Sequence, residues 1–78
     1  MKYAVVNESD SLIMCIGVYD DYLTAYGAGY VNASEYLQNK KNPWISIIED
    51  LEGDTGCFIR YGADDVKEER MLILFVEE

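Results

Sequence analysis

Apolar residues along this chain fall into six blocks, and five of them are too short and too rich in β-branched and aromatic residues to be helices. Segments 2–7 (KYAVVN), 12–19 (LIMCIGVY), 43–51 (PWISIIEDL), 57–61 (CFIRY) and 71–76 (MLILFV) read as strands. The sixth block, DDYLTAYGAGYVNASEYLQNKK at 20–41, repeats Leu23, Tyr26, Tyr30, Ala33 and Leu37 at spacings of three and four, the signature of one helical face. Asp20 or Asp21 can accept hydrogen bonds from the free N–H groups of the helix start, where negative charge also suits the dipole. Lys40 and Lys41 suit the opposite end, and Pro43 prevents continuation. Gly27 and Gly29 each cost the helix up to ~1 kcal/mol but would let it approach a sheet closely. Between the strands, ESDS (8–11) and EGDTG (52–56) are turn signals, and GADDVKEER (62–70) is expected to be a polar loop with room for one helical turn.

The resulting order is ββαβββ, an α+β fold in one domain covering residues 1–78. Alternating the strand directions gives a mainly antiparallel five-stranded sheet of order 2-1-5-4-3, with the most apolar strand in the centre. The helix is expected to cross one face from edge to edge. One helix covers one face only, yet the strands are apolar on both sides. Tyr3 and Val5 oppose Ala4 and Val6; Leu12, Met14 and Ile16 oppose Ile13, Cys15 and Val18; Met71, Ile73 and Phe75 oppose Leu72, Leu74 and Val76. An antiparallel sheet with one solvated face alternates cleanly. This one does not, and an uncovered apolar patch of more than a few hundred Å² usually marks an interface. Three covers are open: a second copy of the chain (a homodimer through the open sheet face), the 62–70 loop with its long side chains, or another protein.

Seventy-eight residues make one domain that buries about 60% of its unfolded surface. Half of them are apolar, which excludes disorder. Fifteen acids against six bases give a net charge of −9, and there is no His. That charge argues against direct binding to nucleic acid or an anionic membrane and permits a basic protein partner; it also serves plain solubility. No apolar run approaches the ~20 residues of a membrane span. The N-terminus, MKYAVVNESD, lacks the apolar region and cleavage site of a signal peptide, so the expected location is cytoplasmic. Cys15 and Cys57 show no metal-pair spacing and are expected as reduced, buried thiols, with a bridge between them left open.

Chemistry is sparse. Without His, and without a nucleophile and base at a telling spacing, the chain is not expected to be an enzyme or to hold a cofactor. Ser9, Ser11, Ser34 and Ser46 lack flanking motifs, and GAG (27–29) lies within the helix rather than between a strand and a helix, so it is no phosphate loop. EDLEGD (49–54) gathers carboxylates but misses the calcium-loop spacing, so no metal site is expected. Charge placement says more. In the 2-1-5-4-3 sheet, Asp20, Asp21, Asp50, Glu52, Asp54, Glu77 and Glu78 fall at one end, opposed there by Lys2 and the terminal amine; the other end is mixed. Such an acidic pole can steer onto a basic surface and speed association. Of the seven tyrosines, Tyr22, Tyr26 and Tyr30 share one side of the helix and are expected to pack on the sheet, leaving Tyr19 and Tyr36 as contacts. The candidate partner-binding set is therefore Asp20, Asp21, Asp50, Glu52, Asp54, Tyr19 and Tyr36.

In size, charge of −9, ββαβββ order and lack of catalytic residues, the whole chain resembles the small acidic proteins that phages carry against host defences, including anti-CRISPR proteins. The resemblance rests on no motif and carries over no functional residue. It implies stoichiometric inhibition of a host nucleic-acid-handling protein through occupation of its basic nucleic-acid-binding surface. Two other readings stand beside it: an acidic antitoxin-like partner of a basic protein, and a dimeric module whose inter-subunit groove takes a small ligand.

Overall fold

The computed structural model describes residues 2–10, 12–49 and 55–76. Strands β1 (Lys2–Ser9) and β2 (Leu12–Tyr19) form a hairpin, followed by helix α1 (Tyr22–Tyr36) and strands β3 (Trp44–Glu49), β4 (Thr55–Ala63) and β5 (Val66–Val76). All four pairings are antiparallel and the order is β2-β1-β5-β4-β3, so the sheet is open and β5 is its central strand. The expected order is the observed one.

Helix α1 lies over β1 and β5 and reaches β2 and β4, but stops short of β3. Beneath it Val5, Ile59, Met71 and Ile73 are fully buried. The helix meets them with Ala25, Gly29 and Ala33 rather than with the expected Leu23 and Tyr30, which are 73% and 40% exposed. Size explains the rotation. A Cβ on Gly29 would already stand 3.1 Å from Ile73 Cδ1 and from Met71 Cγ. A helix this close to the sheet has room only for its smallest residues at the contact. Leu37 closes the helix and is buried, and Tyr22 and Tyr26 pack beside the core.

The expected 62–70 loop does not exist. β4 runs to Ala63, Asp64 and Asp65 make the turn, and β5 begins at Val66. Lys67 and Glu68 are exposed and Glu69 half-buried on this arm, which shows little apolar alternation, while Ala63 and Val66 beside the turn pack on the core. Held in a hairpin, these residues do not fold over the sheet. The α1–β3 connection is tied to the turn: Asp64 N–H donates to the Lys41 carbonyl (2.9 Å), and Asn42 Nδ2 donates to Asp64 Oδ2 (2.7 Å). Asn39 and Asn42 take left-handed conformations in the connection that follows the helix (φ 67° and 51°), which asparagine accepts more readily than most residues.

In the β1–β2 pairing the register shifts between Val5 and Val6, so Val5 faces Gly17 and Val6 faces Cys15. Ile16 is the extra residue of this bulge and packs toward the core. Cys15 is a free thiol on the exposed side, contrary to the expected buried one. The side chain of Cys57, the other thiol, lies outside the described residues.

Candidate functional site

The chain reversal from β2 into α1 carries the first two candidates. Asp21 is the helix N-cap in extended conformation, and its Oδ2 accepts from Thr24 N–H (3.0 Å) and from Thr24 Oγ1 (3.1 Å). Its charge thus sits at the positive end of the helix dipole while one oxygen serves the fold. Asp20 beside it is exposed. Chain direction places this reversal at the same end of the sheet as the start of β1 and the ends of β3 and β5. Asp50, Glu52 and Asp54, like Glu77 and Glu78, lie outside the described residues, as does most of the EDLEGD segment.

The two tyrosines are not neighbours. Tyr19 lies back over its own strand, its hydroxyl 2.9 Å from where a Cβ on Gly17 would be, and packs on the core. It is half-buried, not the free contact expected. Tyr36 is 44% exposed but sits at the far end of α1, about 22 Å of helix from Asp21. Asp20, Asp21 and Tyr19 therefore cluster, and Tyr36 belongs elsewhere.

Tyr36 joins a polar cluster that spacing along the chain does not reveal. Its ring meets the buried Tyr61 edge-on at 5.9 Å, and Lys40 Nζ stands 6.0 Å from its centroid. Tyr61 Oη donates to Glu69 Oε1 (3.1 Å), and Asn7 Nδ2 donates to Tyr61 Oη (2.6 Å) and to Glu69 Oε1 (3.3 Å). Burial, then the nearby Glu69 charge, pushes the Tyr61 hydroxyl well above its ordinary value. Glu69 also raises Tyr36, chiefly through a hydrogen bond. Both phenols are thereby kept neutral, and the cluster clasps β1, β4, β5 and the helix end together. Asn7 and Tyr61 are 54 residues apart, and only the sheet register joins them.

The ion pairs gather at the hairpin end. Arg60 binds Glu68 in a fork (2.7 and 3.0 Å), Lys67 reaches Asp10 (3.0 Å) and Arg70 stands 3.8 Å from Glu8. The Arg60 guanidinium holds the Glu68 carboxyl below its ordinary value. Among the described residues, no cluster of His, Cys, Asp and Glu could hold a metal, and no helix is long and apolar enough to cross a membrane. A shallow depression on the outer side of α1, lined by Tyr30, Val31, Ser34, Glu35 and Gln38, is open to solvent and gathers no reactive group.

The face of the sheet away from the helix is uncovered. Val6, Leu72, Phe58 and Ile48 form one row across it by register, with Leu74 and Ala4 beside them. All six are half-buried or exposed, although Leu72 and Leu74 lie on the central strand.

Searches against protein-family models, curated proteins and solved structures find no match to this chain.

Proposed function

We propose that this chain is a non-enzymatic binding protein whose acidic end docks on a basic protein surface, in the manner of an inhibitor that takes the place of nucleic-acid phosphates. The observation that carries the reading is the division of charge. Three of the six cations, Arg60, Lys67 and Arg70, are held in ion pairs at the hairpin end. Asp20 and Asp21 sit at the other end, where no cation of the described residues pairs with them. Carboxylates that outnumber the cations beside them and are not held in ion pairs steer a basic partner, chiefly by raising the association rate. The resemblance in size and charge to phage anti-defence proteins agrees with such a role.

The test uses displacement of labelled duplex DNA from a panel of basic nucleic-acid-binding proteins, read across a salt series. The reading expects displacement at low salt that fades as salt rises. Charge reversal at Asp20, Asp50, Glu52 and Asp54 together should abolish it; Asp21 is left as the helix cap. The same number of reversals at Asp10, Asp64, Asp65 and Glu68 should reduce it far less. Equal loss from both variants would show that net charge alone acts, and full displacement by the first variant would end the proposal.

A further inference from the structure

We infer that the open face of the sheet is closed by a second copy of this chain, packed face to face about a two-fold axis that runs along β5. Three features of the face select this occupant.

The first is charge. The molecule carries −9, yet the apolar row Val6, Leu72, Phe58, Ile48 holds no ionisable residue. The acids flanking it, Glu8 and Glu68, already face the arginines of the same surface. A basic partner gains nothing by docking here, whereas a second copy brings an equally apolar and locally balanced surface.

The second is self-complementarity. A two-fold rotation about β5 lays β5 on its own copy, β1 on the copy's β4 and β2 on the copy's β3. Glu8, Arg70 and Arg60 occupy one row, Glu8 opposite Arg70 and Arg70 opposite Arg60. The rotation therefore sets Glu8 of each copy over Arg60 of the other, forming two charge pairs that flank the axis, where the two Arg70 side chains meet, each beside the Glu8 of its own chain. An isologous contact requires this kind of matching within one patch.

The third is area. Five strands at about 4.8 Å spacing, over about six residues of strand rise, give a footprint of roughly 500 Å² per copy and about 1,000 Å² for the pair, at the lower bound of a specific interface. Two sheets stacked at about 10 Å form an ordinary aligned β-sandwich with one helix on each outer side.

The experiment is light scattering on a sizing column over a dilution series at low and high salt. The native chain should show twice the chain mass and dissociate less readily at high salt, because screening weakens the repulsion between two acidic molecules. Docking of a basic partner responds to salt with the opposite sign, so the two proposals can fail independently. Leu72→Glu should weaken self-association by on the order of 100-fold, since it would bury an unpaired charge. Ile48→Lys lies at the sheet edge, 38% exposed, where the isolated fold tolerates it; it should weaken the dimer as well and decides the matter if Leu72→Glu fails to fold. Leu23→Glu on the outer side of the helix should leave the dimer intact. A chain that is monomeric at every concentration and salt, a dimer that survives the face variants, or one abolished by Leu23→Glu would overturn the inference.

Discussion

Val5, Met71 and Ile73 are sequence neighbours of Val6, Leu72 and Leu74, and the two sets differ little in apolar character. The first set is wholly buried, while the second is only half-buried by its neighbours in the sheet. Hydrophobicity does not separate the two faces; the helix does. On its side, Ala25, Gly29 and Ala33 bring the α1 backbone down onto the strands. On the other side the same strands carry comparable surface that one chain leaves wet, and each half-exposed side chain keeps part of the 1.5–3 kcal/mol that full burial supplies in reserve.

The largest effect expected from this contrast is at Ile73 and Leu72, adjacent residues on opposite faces. Ile73→Ala should cost about 2–5 kcal/mol in urea unfolding, the usual cost of a cavity in a packed core. Leu72→Ala should cost under about 1 kcal/mol where the chain is monomeric, and more as concentration rises if the face is shared. Equal costs at high dilution would break the distinction between the faces. Next comes alkaline pH. Tyr61 is held neutral in the folded chain, with its pKa raised above the ordinary value of 10.0, so the unfolded chain loses its proton first. Its contribution is intact below about pH 10 and is lost as pH rises above that, so unfolding midpoints should fall there. Tyr61→Phe should be less stable at neutral pH but show a shallower alkaline loss.

At the helix start, Asp21→Ala removes the cap over Thr24 and should cost about 1 kcal/mol, whereas Asp20→Ala should leave the melting midpoint nearly unchanged. The smallest effect has the opposite sign. A Cβ on Gly27 meets nothing within 4 Å, so Gly27→Ala should stabilise by about 0.5–1 kcal/mol, while Gly29→Val should destabilise through its clash with Ile73 and Met71. If both substitutions stabilised, the close approach of helix and sheet would be in doubt.

The strand order was legible because five strands and one crossing helix leave few arrangements in which all neighbours are antiparallel. The division of Ala4, Val6, Leu72 and Leu74 from Val5, Met71 and Ile73 followed from the two-residue period of a strand. The buried side of α1 was legible only in part from hydrophobic spacing: Tyr26, Ala33 and Leu37 of the expected face pack on the core, whereas Leu23 and Tyr30 yield their places to Ala25 and Gly29. Contact distance chose the smaller set. The 62–70 hairpin was hidden for a related reason: Val66 to Arg70 is mostly charged, so the β5 arm shows little alternation to read, although Ala63 and Val66 at the turn pack on the core. Of the candidate site, Asp20, Asp21 and Tyr19 were joined by their closeness in the chain. Tyr36 was separated from them by the length of the helix, and the Asn7–Tyr61–Glu69 cluster exists only through the pairing of β1, β5 and β4.

The central place of β5 has a consequence for biosynthesis. It is the last of the five strands to leave the ribosome, yet both halves of the sheet pair through it: β1 and β2 on one side, β4 and β3 on the other. Until it emerges, the N-terminal hairpin with its helix and the β3–β4 hairpin have no common strand and no shared core. The sheet must therefore be completed after synthesis of β5, in one late step that joins segments distant in sequence.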